Sequence, residues 1–228
     1  MILALDTATS SGSIALVASD KVIVSRYFDL GIHHAQHIFS EIATICKLTN
    51  NSIKNLTAVA ISIGPGSFTG LRIGLAAAKG LCLVDDIPLL AISSLEIIAA
   101  RLPFVEVPVC PIIDARKQQV YAALYNVSSG FPDCISEPEA IAPERMFERR
   151  SGEPTFYTGD GSVAYAEEID RTPQAMRVPF HCERPHADAL GVLGWRKLES
   201  NKLVDIDKIE PLYVRGADAV ISQRKTLL

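Results

Sequence analysis

The sequence predicts a two-lobed α/β fold, with mixed sheets flanked by helices and one β-β-β-α-β-α unit occurring twice. Three observations carry this. An apolar strand, Ile2 to Asp6, ends in an acid and opens two tight hairpins. A second apolar strand, Val109 to Asp114, also ends in an acid and opens a hairpin. Between them strands and helices alternate, as in a sheet covered by helices.

The elements follow in order. Ile2–Asp6, Ser13–Ala18 and Val22–Phe28 read as an antiparallel meander, joined by a Thr/Ser/Gly-rich turn and by Asp20-Lys21. A helix is expected from His34 to Lys47, because Ile38, Ile42 and Ile45 recur on one stripe. Ala35, Phe39, Ala43 and Cys46 widen that face beyond what one sheet contact needs. Ala58–Ile63 is near-continuously apolar, as buried parallel strands are. It runs into Gly64-Pro65-Gly66-Ser67-Phe68-Thr69-Gly70 and a helix through Leu83. Pro88–Ile92 is another buried strand, and Ser93 or Ser94 can cap a helix at Leu95–Arg101. The second series has strands at Val109–Asp114 and Gln119–Tyr125, a helix at Pro143–Arg150 with proline in its first turn, and a strand at Thr155–Thr158. A long helix spans His186–Glu199, while Thr172–Pro185 carries no clear pattern. The division falls near residue 102: residues 1–102 form the first lobe, and residues 103–228 form a degenerate second lobe whose tail can pack back on the first.

Composition narrows the function classes. With 48% hydrophobic and 21% charged residues the chain is an ordinary globular one. Its longest apolar stretch, Leu71–Val84, contains Arg72 and Lys79 and is too short to span a bilayer. No basic leader precedes the first strand, so a cytoplasmic protein is expected. Five cysteines are scattered without a CxxC pair, which fits reduced core thiols. A net charge of −4 supplies no basic field for holding nucleic acid alone.

The segment Gly64 to Gly80 is the most informative. Its glycines allow tight backbone turns, and Ser67 or Thr69 can cap the helix that follows. It is no Walker loop, since no Lys-Ser or Lys-Thr follows the glycines. It is no nucleophile elbow, since Pro65 and Thr69 stand where that turn needs glycines around Ser67. Gly70, Gly74, Ala77 and Ala78 form a strip along which another backbone can approach, within the lobe or across an interface. His33 and His37 have i, i+4 spacing but no third ligand, so no metal site is expected. Asp6, Asp114 and Asp160 each follow a strand and could converge on a cleft, although Asp after a strand is also ordinary turn chemistry. Asp6 with Thr7, Thr9, Ser10, Ser11 and Gly12 makes a hydroxyl-rich hairpin; Asp6, Thr7, Ser10, Gly64, Gly66 and Asp114 are the candidate, vestigial phosphate-loop residues.

Ile2–Thr9, the Gly64–Gly74 segment, Ile113-Asp114-Ala115-Arg116 and the terminal Glu210-Pro211-Leu212-Tyr213-Val214-Arg215 together resemble the TsaB (YeaZ) family. The resemblance is specific over the first 125 residues and rests on length and pattern between Gly130 and Lys208. It implies an ASKHA fold (actin-like, RNase H-like) and a part in making threonylcarbamoyladenosine at adenosine 37 of tRNAs that read codons starting with A. It further implies a scaffold without catalytic residues or cofactor, forming a heterodimer with the catalytic paralogue TsaD and joined by the ATPase TsaE, with tRNA reached through the complex. The paralogue's metal-binding His-x-x-x-His has no counterpart at Ser93-Ser94-Leu95-Glu96-Ile97, and Asp114-Ala115-Arg116 lacks the glycines of its second phosphate loop. The family pairs through first-lobe helices, which places the expected interface at His34, Ile38, Phe39, Ile42, Ile45, Leu71, Gly74, Leu75 and Ala78. The same patch could form a homodimer when the partner is absent. The competing reading is an ASKHA-type ATPase or kinase using Asp6, the hydroxyl-rich hairpin and Gly159-Asp160-Gly161.

Overall fold

The computed structural model describes residues 1–29 and 37–214. Its first sheet contains β1 (Ile2–Asp6), β2 (Gly12–Val17), β3 (Val22–Phe28), β4 (Ala58–Ser62) and β5 (Leu89–Ile92), in the order β3-β2-β1-β4-β5. The β1–β2 and β2–β3 pairs are antiparallel, and β1–β4 and β4–β5 are parallel. The second sheet contains β6 (Val109–Asp114), β7 (Val120–Asn126), β8 (Asp133–Ile141), β9 (Thr155–Thr158) and β10 (Ala175–Arg177), in the order β10-β9-β6-β7-β8. Its pair directions repeat those of the first sheet strand for strand, so the duplication is one of topology.

The helices are α1 (Ile38–Thr49), α2 (Phe68–Asp85), α3 (Ser94–Ala99), α4 (Pro143–Arg150), α5 (Asp160–Ala164), α6 (Ala166–Arg171) and α7 (Ala187–Glu199). Alternate residues of the central strands feed two cores. On one face Leu3, Leu5, Ile14, Leu16, Val59 and Ile61 meet α1 and α2. On the other, Ile2, Ala4, Ala15, Val17, Ala58 and Ala60 meet α7. Burial on both faces explains why β1 and β4 read as continuous apolar runs. The α7 face is lined with alanines because the helix comes close: a methyl on Gly191 would lie 2.4 Å from a Val17 methyl, and one on Gly194 would lie 3.1 Å from the Ala60 Cβ.

Two helices cross between the halves. The second-half helix α7 covers the first sheet, and the Trp195 indole N–H donates to the Val17 carbonyl at 3.1 Å. In return, Leu95, Ile98 and Ala99 of α3 pack against Val109, Ile113, Ala123 and Tyr125 of the second sheet. The segment after α7 stays with the first sheet. There the Val204 amide donates to the Leu89 carbonyl at 3.2 Å, and the Leu212 amide donates to the Ile63 carbonyl at 2.7 Å.

Several sequence expectations shift. The first helix begins after His37, which occupies its N-cap position, so Phe39 is its second residue; His33 to Gln36 lie outside the described residues. Strand β8 is the third strand of the second unit, for which the sequence pattern gives no bounds. It is an edge strand, mostly exposed, with Asp133, Glu137 and Glu139 and an internal Pro138, and so has none of the apolar alternation that marks a half-buried strand. The patternless region after Thr172 contains the short edge strand β10. Among the described residues no helix is long and apolar enough to cross a membrane.

Gly191→Val is expected to destabilise the protein by about 1–3 kcal/mol, since the added atoms collide with Val17 across a packed core. Gly80→Ala, on an exposed position of α2 with nothing within 4 Å, is expected to stabilise it by about 0.5–1 kcal/mol. Chemical denaturation of both variants checks the pair.

Candidate functional site

A cleft of about 780 Å³ opens between the two sheets. Its walls include the β1–β2 turn (Ala8–Ser10), the glycine segment and start of α2 (Pro65–Phe68, Leu71, Arg72), the β6–β7 turn (Asp114–Lys117), Asp160, and Leu212 and Tyr213 of the tail.

The β1–β2 turn and the glycine segment are clasped together. The Ser67 amide donates to the Ala8 carbonyl at 2.6 Å, and the Thr7 hydroxyl donates to the Gly70 carbonyl at 2.8 Å. Added methyls on Gly66 and Gly70 would lie 2.1 Å from the carbonyl oxygens of Ala8 and Thr7, and one on Gly74 would lie 2.2 Å from the Thr7 hydroxyl. These glycines therefore admit the hairpin backbone, and the small-residue strip of α2 is used inside its own lobe. The rest of the hairpin is similarly engaged. The Asp6 carboxylate accepts from the Ala8 amide at 3.3 Å, and the hydroxyls of Thr9 and Ser11 bond each other at 3.0 Å. Ser67 caps α2, accepting from the Gly70 amide at 3.3 Å.

Of the candidate phosphate-loop residues, the structure brings Ser10, Gly66 and Asp114 to the cleft wall, together with Asp160. Asp6 and Thr7 are buried, Gly64 is buried behind the loop, and none of the three lines it. Ser10 is exposed and accepts from Arg184 Nη1 at 2.8 Å. The Asp114 amide donates to Asp160 Oδ1 at 3.1 Å, and Asp114 Oδ1 accepts from the Arg116 amide at 2.8 Å. Burial raises the Asp160 carboxyl above its ordinary value, with the Asp114 amide and Arg184 opposing that shift. Burial also raises neighbouring Glu183. Among the described residues no group of three His, Cys, Asp or Glu is placed to hold a metal ion. Burial pushes the thiols of Cys82 and Cys110 up to about 12, so both are protonated at neutral pH.

The expected interface residues divide by burial. Ile38, Ile42, Ile45, Leu71, Gly74, Leu75 and Ala78 are buried beneath α1 and α2 on the first sheet, so they hold these helices in place rather than face a partner. Phe39 is 62% exposed. The large apolar side chains also exposed on these helices are Leu48 on α1 and Phe68, Ile73, Leu83 and Val84 on α2, the last 79% exposed. His34 lies outside the described residues. Burial could not be read from the sequence because α1 is apolar on more than one side. The i, i+4, i+7 isoleucines took the core, and Phe39 was left outside.

Sequence reasoning also missed two features of the cleft: the left-handed backbone of Arg116, Lys117 and Gln118, and the seating of Tyr213 against Phe68 and Arg72. Phe68, Arg72 and Tyr213 stood in two motifs that were read separately; no local signal joined them.

Gly66→Ala is expected to destabilise the fold by about 1–3 kcal/mol, because the methyl meets a backbone carbonyl. Asp160→Asn should show the sign of the buried carboxyl. Its raised folded-state pKa means that ionisation costs stability in the native protein, a cost that is absent in acid and grows as pH rises through and above the ordinary value of 3.8. The variant is thus expected to gain stability relative to the parent as pH is raised from about 3 to about 7. Melting curves across that range check it.

The comparisons with known proteins agree with this architecture. The family model described as "TsaD: tRNA N6-adenosine threonylcarbamoyltransferase" matches residues 29–221. The tRNA threonylcarbamoyladenosine biosynthesis protein TsaB of Escherichia coli is 32% identical over 222 residues, covering 94% of both chains. The Bacillus subtilis protein of the same name is 28% identical, covering 96% of this chain and 95% of its own. The solved structure of YeaZ from Pseudomonas aeruginosa superposes with a TM-score of 0.82 at 29% identity, covering 93% of this chain and 98% of that one. With an E. coli relative above 30% identity along nearly its whole length, and the same two-lobed fold in YeaZ, this chain belongs to the TsaB (YeaZ) family.

Proposed function

We propose that this protein works in the biosynthesis of threonylcarbamoyladenosine on tRNA as a non-catalytic subunit, pairing with the TsaD paralogue through α1 and α2 and bringing in the TsaE ATPase. The relatives named TsaB, and the match to the TsaD family model, support the pathway. The observation that carries the non-catalytic part is the clasp at the β1–β2 turn. The glycine segment bonds the Ala8 carbonyl, and the Thr7 hydroxyl is committed to the Gly70 carbonyl, where a phosphate-binding hairpin would present free donors. The pairing surface is supported by the exposed Phe39, Leu48, Leu83 and Val84 on two helices that pack side by side. A homodimer through the same face is the state proposed for the isolated chain. One observation favours the ATPase reading instead: Asp114 and Asp160 both face the cleft.

Phe39→Asp and Val84→Asp place charge on exposed apolar positions and should leave the melting temperature unchanged. In light scattering after size exclusion, the parent chain is expected to form a 1:1 complex with the TsaD paralogue of the same source, and each variant to lose it. A complex indifferent to both substitutions would remove α1 and α2 from the interface. Magnesium-dependent ATP hydrolysis by the isolated chain would favour the ATPase reading.

A further inference from the structure

The C-terminal end of α2 departs from local preference in three ways at once. The last carbonyls of a helix leave negative charge there, so lysine or arginine is favourable and a carboxylate is not. Helices α1, α4, α6 and α7 comply, with Lys47, with Arg149 and Arg150, with Arg171, and with Arg196 and Lys197 in their last turns. The 18-residue α2 has no base in its last turn; it ends on Asp85 and is capped by Asp86. Among the described residues neither carboxylate belongs to a salt bridge. Asp86 also holds the left-handed cap, with φ 52° and ψ 44°, where glycine would carry no Cβ penalty. The Asp86 amide turns back to the Cys82 carbonyl, and so does the Ile87 amide, at 3.0 Å. Just before this end, Leu83 and Val84 are 66% and 79% exposed.

Two carboxylates at the negative end of a dipole, an aspartate where glycine fits, and two bare aliphatic side chains each cost the isolated chain stability. Such choices made together on an exposed surface serve a contact rather than the fold. Leu83 and Val84 belong to the outward face of α2, so a partner that covers them also reaches Asp85, Asp86 and the carbonyls of the last turn. One kind of group suits all of these. The stem of a lysine or arginine lies well on apolar side chains, while its charged head donates to carboxylates and to helix-end carbonyls.

We propose that the TsaD paralogue docks on this end of α2 with a basic side chain, a lysine or arginine set against Asp85 and Asp86. The inference rests on the pairing reading above and deepens it, by naming the charge that the partner presents at one end of the helix. An apolar face alone accepts other apolar faces in many orientations. A charged pair at one end fixes how the partner lies along α1 and α2, and it disfavours partners that bring a carboxylate or no charge to that place.

The test compares the full chain with its Asp85→Asn and Asp86→Gly variants, by thermal melting of each alone and by calorimetric titration with the TsaD paralogue of the same source. Both variants are expected to melt above the parent, because each removes a carboxylate from the negative end of α2 and the glycine also relieves the cap. Both are expected to bind the paralogue about tenfold more weakly, the loss of one charge-assisted hydrogen bond. The parent's affinity should fall as salt is raised, and that of the double variant should fall less. Weaker binding by a more stable chain is not a folding defect. Variants that bind as tightly as the parent overturn the proposal, and so does a salt dependence that the double variant leaves unchanged. A lower melting temperature for Asp86→Gly overturns it too, since the aspartate would then serve the fold. Phe39→Asp separates the two readings. A complex lost with Phe39→Asp but untouched by Asp85→Asn and Asp86→Gly sinks this inference and leaves the pairing reading standing; no complex with the parent chain sinks both.

Discussion

Thr7 and Ala8 turn their carbonyl oxygens toward the glycine segment, and the contact is so close that no Cβ fits at residues 66 or 70. That contact sets where α2 begins and how it lies on the first sheet. From it follow the seating of Leu75 and Ala78 over β4, the outward display of Ile73, Leu83 and Val84, and the position of Phe68 at the cleft edge. The tail depends on it as well, since the Ile63 carbonyl just before the glycines accepts from the Leu212 amide, and Arg72 donates to the Tyr213 hydroxyl. A single backbone-to-backbone approach therefore links the hairpin, the exposed helical face and the C-terminal segment.

The exchange of α3 and α7 is the second constraint. Each half completes the other's core, because α7 covers Ile2, Ala4, Ala15 and Val17 while α3 packs on Val109, Ile113 and Tyr125. Further contacts tie the helices and loops at the crossing. Lys197 donates to the Ala91 carbonyl at 2.9 Å, and Arg101 donates to the His181 carbonyl at 3.0 Å. A hinge between the sheets would have to break apolar packing on both. The fold thus has the outline of two lobes around a cleft but the packing of one interlocked body, which suits a surface presented to a partner better than a cleft that closes on substrate.

Much of this was legible from residue pattern. The acid-ended strands Ile2–Asp6 and Val109–Asp114, each followed by a hairpin, announced the duplication that the two strand orders display. The glycine segment was recognisable as special, but its role was not, because what it approaches lies far earlier in the chain. The crossing of α3 and α7 left no local trace either. Gly191 and Gly194 are ordinary helix interruptions until Val17 and Ala60 are seen beneath them. Strand β8 was hidden by being an edge strand whose exposed residues need no periodicity. On α1, periodicity placed the isoleucines on one face but could not say whether that face met a partner or the chain's own sheet.

In the proposed role, this chain supports the transfer of the threonylcarbamoyl group by its surface and not by groups in its cleft. The most direct measurement is the amount of threonylcarbamoyladenosine formed on tRNA, by mass spectrometry, when TsaD, TsaE and threonylcarbamoyl adenylate are combined with this chain or with its Asp114→Asn variant. Product is expected with either form and little without the chain. Loss of product with Asp114→Asn, while the variant still assembles with its partners, would contradict it and place a catalytic group in this protein.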